Sequence, residues 1–527
     1  MTTSISNAAA GQQQPALAQR VKEQAPTELQ TDALDEVGRT LASRFIFLLI
    51  CVAIVLSTLA YGTVHYWSLA VFQASAALIL VLWVIDAWSS KTLRLSRNAL
   101  QWPLVGMILI GLLQLLPLGK ELSDGLISQP AVKSLSLDPF STRLVLIQVT
   151  ALLIYFGAVL AFTDGPIRLR LLVRTIIIFG FLLAILGLIQ SFTSPTKLLW
   201  LRELKESTPF GPFINRHHFA GYMELTLALP LGLLFSGAIE RDKRFIYIFA
   251  ALMMGVALIM TNSRGGILSL IAEIVFLVAM TGFRRKSRSS QQNETSGASI
   301  RAAVVRSALG LALLLSIFAG VVMLGGEPVL NRLMGTVSSA DPTTGRAHFW
   351  RVTLDVIRDH PLTGTGLGSY GVAYPMYDTR GGGLRVEQAH NDYLQTLSDA
   401  GIAGALLGLF FIVTLFRLGL TRSSSQDTFR RGVAIGALSG CFAVLVHSFF
   451  DFTLHTTSNA LLFLTVAGLA TINGRVERVT ETGGRRRRRR RTMRQPKIAP
   501  ITSPSAPPPP ATESIASPPT LPAQNQQ

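Results

Sequence analysis

Residues 326–400 concentrate the side chains of this chain that could do chemistry. Three phrases stand out there: Gly345-Arg346-Ala-His-Phe-Trp350, His360-Pro-Leu-Thr-Gly-Thr-Gly366 and Ala389-His390-Asn-Asp-Tyr-Leu394. Histidine has an ordinary pKa near neutrality, so it can take up or release a proton at working pH. Arginine carries a permanent planar charge that fits phosphate and carboxylate oxygens. This segment is therefore predicted to hold the functional site.

The elements that must position this segment are predicted to be membrane spans. Of 527 residues, 49% are apolar and only 15% are charged. Apolar runs of about 17 to 22 residues recur, which is the length that crosses a bilayer. The predicted spans lie near residues 45–62, 67–87, 100–118, 144–163, 171–191, 217–236, 245–261, 265–282, 304–325, 401–419, 431–449 and 458–474. The predicted fold is therefore an all-α polytopic membrane protein with about 12 transmembrane helices and a large outer helical loop.

Lysine and arginine predict the orientation, because short cytoplasmic loops keep an excess of them. With the N-terminus inside, the inner loops hold more than twice as many of these residues as the short outer loops. Both termini are therefore predicted to be cytoplasmic. The predicted organisation is an N-terminal tail over 1–44, nine spans over 45–325, the outer loop over 326–400, three spans over 401–474 and a basic, proline-rich tail over 475–527.

Both tails have compositions that predict disorder, since they cannot bury enough apolar surface to fold. The run Arg485 to Arg491 contributes to the net charge of +18. It is interpreted either as a topology anchor and solvated tail or as a site that binds anionic membrane lipids or a partner. Nucleic-acid binding is not predicted, because no aromatic platform or nucleic-acid module accompanies the run. Cys51 and Cys441 lie in predicted spans, far from any CxxC spacing, and support neither a disulfide nor a cysteine metal site.

Four places in the chain together resemble the O-antigen ligase and O-antigen polymerase superfamily of bacterial envelope glycosyltransferases. They are Phe213-Ile-Asn-Arg-His-His-Phe-Ala220, Ser263-Arg264-Gly265-Gly266, the segment Gly345 to Gly366, and Ala389 to Gly404. The resemblance covers about residues 45–474. It implies a GT-C-like enzyme of the bacterial inner membrane with a periplasmic active site. The implied donor is a glycan on undecaprenyl diphosphate, and neither a cofactor nor a metal is expected.

Under this resemblance, arginines bind the diphosphate as negative charge develops on it. Arg264, followed by glycines that permit close backbone approach, is the leading candidate. Arg346 is the second, on a helix predicted to run to about Asp359, where Trp350 shares its face as an apolar wall. Arg216 is a weaker third. The alternatives are an interfacial Arg264 reaching lipid phosphates, an Arg346 stacked on Trp350, and an Arg216 that caps its span.

His390 is the residue that the resemblance assigns as general base for the acceptor hydroxyl. A helix is predicted over 387–397, with His390 one turn before Leu394. Asn391 and Tyr393 are assigned to substrate binding, and Asn391 and Asp392 could either orient the imidazole or bind sugar hydroxyls. The alternative is a histidine held in packing.

Three further features need an interpretation. Asp399 stands where the family usually has glutamate, so the carboxylate is retained on a shorter side chain. His447, Asp451 and His455 are spaced by four residues and would share one face if the eleventh span continued that far. Such a face is compatible with a metal, but a hydrogen-bonded group closing the cavity explains it as well. Gly364, Gly366 and Gly368 predict a turn between loop helices. They do not predict a nucleotide-binding loop, because such a loop ends in Lys followed by Ser or Thr and this segment does not.

The acceptor remains open at this stage. Lipid A-core would make the enzyme a ligase, another lipid-linked chain would make it a polymerase of O-antigen or exopolysaccharide, and a protein side chain would make it an oligosaccharyltransferase. A transporter of a lipid-linked solute is the alternative from another class, and it would predict ionisable residues at mid-membrane depth. A structural scaffold is a third possibility.

Overall fold

The computed structural model of this protein describes residues 40–118, 134–204, 207–289, 304–305, 307–323, 346–380 and 385–472. For 282–289 it describes the backbone only. Residues 1–39 of the N-terminal tail, residues 326–345 of the predicted outer loop and the run Arg485 to Arg491 lie outside the described residues.

Helices make up almost all of the described chain. They are α1 (Leu41–Leu59), α2 (Tyr66–Ser90), α3 (Gln101–Gln114), α4 (Pro139–Phe162), α5 (Pro166–Thr193), α6 (Arg216–Ser236), α7 (Arg244–Met260), α8 (Arg264–Ser289), α9 (Ser307–Met323), α10 (Arg346–Asp359), α11 (Tyr370–Ala373), α12 (Asp392–Arg422), α13 (Thr428–His447) and α14 (Thr457–Thr471). Two short antiparallel strands, β1 (Lys197–Leu198) and β2 (Arg202–Glu203), form the sheet of the described residues.

The prediction of an all-α polytopic membrane protein is confirmed. Within the described ranges, nine helices are long and apolar enough to cross a membrane. The shorter apolar helices α3, α9 and α14 fall on the other three predicted spans. The starts differ from prediction: α1 begins at Leu41, so residues 41–44 belong to a helix rather than to the tail, and α12 begins at Asp392, within the predicted outer loop.

Helices α6 and α13 form the centre of the bundle, since 83% and 72% of the residues in their 18-residue apolar stretches are buried. They approach closely through glycines, since a Cβ added at Gly436 of α13 would lie 2.4 Å from the carbonyl oxygen of Ala228 in α6. Gly432 and Gly440 lie one turn to either side and also face α6. Small residues at this spacing are typical of tightly packed membrane helices. This contact holds together the two helices that carry the buried Glu224 and His447 described below.

The glycine turn predicted at residues 364–368 is present, and all three of its glycines have positive φ: 68° at Gly364, 119° at Gly366 and 76° at Gly368. The turn docks on the start of α12, where Asp399 accepts a 3.1 Å hydrogen bond from the backbone N–H of Gly368. Gln114 at the end of α3 donates to the carbonyl of Asp399 at 2.8 Å. Asp399 therefore has a structural role in anchoring the loop to the bundle.

Buried arginines close the end of the bundle at which α13 begins. Arg430 is fully buried and donates to the carbonyls of Leu469 and Ile472 at 2.9 and 3.0 Å, which satisfies the end of α14. Arg168 donates to the hydroxyl of Ser43 at 2.8 Å near the start of α1. The polar residues at the other end of α13 form the candidate site.

Candidate functional site

The candidate site lies where α6, α8, α10 and α12 begin and α13 ends. Arg216, Arg264 and Arg346 are the first residues of α6, α8 and α10, and Asp392 is the first of α12. His447 is the last residue of α13. The first turn of a helix has unpaired backbone N–H groups and the positive end of the helix dipole, which favour anions. Arg216 and Arg264 therefore begin helices in a position suited to an anionic ligand, and Arg346 lies in the first described turn of α10.

Asp451 joins two of the predicted residues and is almost fully buried. Its Oδ1 lies 3.3 Å from Nδ1 of His390, and its Oδ2 accepts a 3.2 Å hydrogen bond from Nη2 of Arg346. Burial alone would raise the pKa of the Asp451 carboxyl, but the hydrogen bond with His390 and the nearby His217 and Arg346 hold that pKa well below its ordinary value. Asp451 is therefore ionised at neutral pH and holds a cation on one side and an imidazole on the other.

The His390 ring is oriented for proton uptake. A carboxylate can only accept, so Nδ1 carries the hydrogen of the neutral ring and Nε2 is left as an acceptor. Phe349 stacks on the ring at a centroid distance of 6.0 Å, and Phe452 meets it edge-on at 4.8 Å. The side chain is still 28% exposed. The ring is thus fixed by aromatic neighbours while remaining open to a substrate hydroxyl.

The helix predicted over 387–397 is wrong in its start. It begins at Asp392, because the side chain of Asn391 caps it by accepting a 3.0 Å hydrogen bond from the backbone N–H of Tyr393. His390 precedes the helix and has a φ of 50°, in the left-handed region that histidine enters more often than most residues. Its position therefore depends on the cap and on Asp451 rather than on helical periodicity.

Two residues assigned to substrate binding contact the protein itself. Asn391 donates from Nδ2 to the carbonyl of Phe449 at 3.2 Å, and the hydroxyl of Tyr393 donates to the carbonyl of Leu445 at 2.7 Å. Both contacts fasten α12 to the end of α13 and the residues after it. Trp350 is half-buried, and within the described part of the chain its Nε1 is buried without a hydrogen-bond partner. Contact of these three residues with substrate stays a prediction.

Arg346 is engaged through both terminal nitrogens. Nη1 donates to the carbonyl of Phe450, and Nη2 donates to Asp451. The side chain is only 17% exposed. Helix α10 runs to Asp359 as predicted, but the guanidinium pairs with Asp451, in contrast to the alternative of an arginine stacked on Trp350. Arg346 thus fixes Asp451, and only its remaining N–H groups are left for a ligand.

Arg264 and Arg216 are half-buried and follow residues that cap their helices. The Oγ of Ser263 accepts a 3.2 Å hydrogen bond from the backbone N–H of Gly266, and the side chain of Asn215 caps α6. The two arginines therefore start from ordered helix ends. The alternative that Arg216 caps its span is only partly met, because the residue whose side chain caps α6 is Asn215.

A chain of buried polar side chains runs from the site into the bundle. His217 Nδ1 lies 2.8 Å from Ser263 Oγ, which lies 3.5 Å from His447 Nε2, and His447 Nδ1 lies 2.8 Å from Glu224 Oε1. His447 and Glu224 are both fully buried. A Cβ added at Gly265 would lie 2.7 Å from His447 Cδ2, so glycine there permits His447 to pack closely, whereas the close approach of a ligand to this backbone stays a prediction.

The spacing of His447, Asp451 and His455 does not place them on one helical face, because α13 ends at His447. The three side chains have separate partners: His455 Nδ1 lies 2.8 Å from Asp392 Oδ1, whereas the other two belong to the clusters above. Asp392 also accepts from Ser448 Oγ at 2.8 Å. Among the described residues there is no group of three or more His, Cys, Asp or Glu side chains that could hold a metal ion. These residues fit the hydrogen-bonded interpretation.

The sequence did not single out His217, Ser263, Glu224 or Asp451 as site residues. Asp451 was considered only together with His447 and His455, either as a metal-binding face or as part of a hydrogen-bonded pair that closes the cavity. One signal could have found Glu224, since an ionisable residue inside an apolar span is rarely without a function. The others are recognised only from contacts between distant parts of the chain, such as the 223 positions that separate Glu224 from His447.

One comparison with known proteins identifies a family. The family model described as O-antigen ligase matches residues 249–409, a range that runs from within α7 into α12 and includes Arg264, Arg346 and His390. A search of curated proteins finds no match to this chain. The family match confirms the resemblance that the motifs indicate.

Proposed function

We propose that this chain, whose residues 249–409 match the O-antigen ligase family model, is an inner-membrane glycosyltransferase acting on the periplasmic face. It transfers a glycan from undecaprenyl diphosphate to an acceptor hydroxyl during synthesis of a surface polysaccharide. The observation that supports this proposal best is the His390–Asp451 contact beside Arg346. This arrangement combines a proton acceptor with cations, which are the two requirements of displacing a diphosphate by a hydroxyl.

His390 acts as the general base. As the acceptor oxygen attacks the anomeric carbon, its proton moves to Nε2 of His390, and the resulting imidazolium is stabilised by the ionised Asp451. Direct attack opposite the bond to the leaving diphosphate inverts the anomeric centre. A covalent glycosyl-enzyme or a product of retained configuration would refute this mechanism.

The leaving diphosphate is stabilised by arginines and by helix ends. Arg264 and Arg216 begin α8 and α6, so each adds its charge to the N-terminal end of a helix dipole. Arg346 contributes through the N–H groups that Asp451 and Phe450 leave unused. These fixed charges supply electrostatic stabilisation without a metal ion, which is the basis for proposing metal-independent transfer.

The orientation follows from charge. The arginines that close the start of α13 lie at the end that the positive-inside rule assigns to the cytoplasm, and the candidate site lies at the other end of that helix. The termini would then be cytoplasmic, with Arg485 to Arg491 placed to contact anionic membrane lipids. A glycan chain or lipid A-core is the proposed acceptor, and a protein side chain is the alternative within the superfamily.

One observation favours a different class. Glu224 and Glu273 are fully buried in spans α6 and α8, and ionisable residues at such depth are common in transporters. A transporter of a lipid-linked solute would move its cargo without making a new glycosidic bond. The same purified protein can distinguish the two functions.

The test uses the full chain in lipid nanodiscs with undecaprenyl-diphosphate oligosaccharide and either lipid A-core, a second lipid-linked chain or an acceptor peptide. Mass spectrometry of the products should show transfer by the wild type and none by His390→Ala. The control His360→Ala, which lies outside the group of His390, Asp451 and Arg346, should retain activity. The acceptor that gains glycan identifies the enzyme as ligase, polymerase or oligosaccharyltransferase. Absence of product with every acceptor, together with lipid-linked glycan movement in sealed vesicles, would establish the transporter instead.

A further inference from the structure

The Glu224–His447 pair fixes where hydrogens lie in the buried chain behind the site. Neither side chain is exposed, and within the described part of the chain Glu224 Oε2 is buried without a hydrogen-bond partner. A net charge in such surroundings is expensive, so the pair holds one proton between carboxylate and imidazole and is neutral overall. Because a hydrogen on Glu224 Oε2 would have no acceptor, the shared proton lies in the Oε1–Nδ1 contact, on Glu224 Oε1 or on His447 Nδ1, and in both cases Nε2 of His447 carries a hydrogen.

The hydrogen on His447 Nε2 determines the direction in which the Ser263 hydroxyl donates. Its Oγ has one hydrogen to give and faces three groups: the backbone N–H of Gly266 at 3.2 Å, His447 Nε2 at 3.5 Å and His217 Nδ1 at 2.8 Å. The first two are donors. The hydroxyl hydrogen is therefore directed to His217 Nδ1, which is also its nearest neighbour.

His217 consequently has its own hydrogen on Nε2. Its Nδ1 accepts from Ser263 and lies 3.8 Å from Asp451 Oδ2, beyond hydrogen-bond distance. The side chain is 21% exposed, and it lies beside Arg216 in the sequence and near Arg346. His217 is thus a donor at Nε2, whereas His390, on the other side of Asp451, is an acceptor at Nε2.

We propose that His217 donates a hydrogen bond from Nε2 to an anionic oxygen of the donor's diphosphate, beside Arg216 and Arg264. Glu224, His447 and Ser263 are positioning residues that fix the His217 tautomer. This inference rests on the proposed function, since it names a further contact of the same site with the leaving group. The two histidines then have opposite tasks, because one accepts the proton of the incoming hydroxyl and the other stabilises the departing diphosphate.

Two substitutions of equal length test the polarity of His217. Glutamine places an amide N–H near the position of Nε2, whereas glutamate offers only acceptor oxygens there. We expect kcat/KM to stay within about fivefold of wild type in His217→Gln and to fall about 10- to 100-fold in His217→Ala and His217→Glu, the size of one lost hydrogen bond to a charged group. Higher activity in His217→Glu than in His217→Gln would overturn the proposal, because that order identifies a base.

Ser263→Ala, alone and combined with His217→Gln, separates positioning from general packing. Ser263→Ala should lower kcat/KM in the wild-type background and cause no further fall once glutamine supplies the donor. Equal fold losses in both backgrounds would show that Ser263 acts only on the structure of the α8 cap. Thermal unfolding of each variant and Ser263→Thr, which keeps a hydroxyl, control for misfolding.

Measuring donor binding separately from transfer distinguishes the His217 contact from the glycosyltransferase function. The affinity of the nanodisc protein for undecaprenyl diphosphate alone should fall in His217→Ala and be largely kept in His217→Gln. Wild-type transfer with equal affinities in all His217 variants would leave the glycosyltransferase standing and remove the His217 contact. If the wild type transfers no glycan but the affinities follow the expected order, the His217 contact is supported and the glycosyltransferase function is refuted.

Discussion

Asp451 Oδ1 lies 3.3 Å from His390 Nδ1, although 61 positions of sequence separate the two residues. The contact sets the tautomer of the imidazole, because the carboxylate can only accept a hydrogen bond. It also supplies a negative charge next to the imidazolium that would form on proton uptake. A histidine in a loop thereby becomes a directed proton acceptor.

Replacing Asp451 with asparagine should reverse the His390 tautomer. The asparagine amide can donate to Nδ1, which moves the ring hydrogen to Nε2 and removes the acceptor. We expect transfer to fall by about 10²- to 10⁴-fold, the range found when the acid partner of a catalytic histidine is lost. The measurement is the initial rate of glycan transfer in nanodiscs.

Asp378→Asn is the matched control for that substitution. Asp378 also pairs with a histidine, its Oδ1 lying 2.8 Å from His348 Nε2, but the hydrogen bonds of Asp451 run to other residues, among them His390 and Arg346. The control should transfer glycan within about twofold of wild type. Equal losses in both variants would indicate that any broken carboxylate–histidine pair disturbs the loop.

Asp451 should also make stability depend on pH. A carboxyl whose pKa is lower in the folded state stabilises that state above its unfolded pKa, which is about 3.9, and this contribution is lost as pH falls through the folded pKa. The difference in thermal unfolding temperature between wild type and Asp451→Asn should be constant from about pH 5 to 8 and shrink below about pH 4. A difference that stays the same down to about pH 3 would contradict the low folded pKa.

The sequence predicted what local patterns determine. Apolar runs located the spans, and the predicted helix after Arg346 does run to Asp359 in α10. The glycine positions at 364–368 predicted a turn, because positive φ is a local property of glycine. The start of α12 was wrong, although Asn391 is a strong capping residue whose signal could have been used.

The site could be predicted only in part, because its contacts join distant helices. Arg346 and His390 were chosen as separate residues, and their common partner Asp451 could not be identified without the fold. The pairing of Glu224 with His447 depends on how closely the glycines of α13 let α6 approach. A polar residue in a span signals a function, but its partner is set by helix packing.

Arg346→Lys should show that the planar fork of arginine is needed. Lysine has one ammonium and cannot hold both the Phe450 carbonyl and Asp451 in the geometry of the guanidinium. We expect kcat/KM to fall about 10- to 100-fold, with a lower unfolding temperature, because Asp451 loses its fixed partner. Donor binding and turnover measured separately would show whether Arg346 also contacts the diphosphate.

Arg358→Lys in the same helix is the control for Arg346→Lys. Its side chain is 77% exposed and pairs with Asp355 at 2.8 Å, a surface contact that contributes little. The control should leave activity and unfolding temperature unchanged within error. Wild-type activity in Arg346→Lys would refute the requirement for a fork.

Gly436→Ala should weaken the bundle where α13 meets α6. The added Cβ would lie 2.4 Å from the Ala228 carbonyl oxygen, so the helices must separate, at a cost of about 1–3 kcal/mol. Their separation also lengthens the Glu224–His447 contact, so activity per folded molecule should fall with the unfolding temperature. Gly408→Ala is the control, because nothing lies within 4 Å of the added Cβ there, and alanine favours a helix. Equal unfolding temperatures in the two variants would mean that the glycine contact does not hold these helices together.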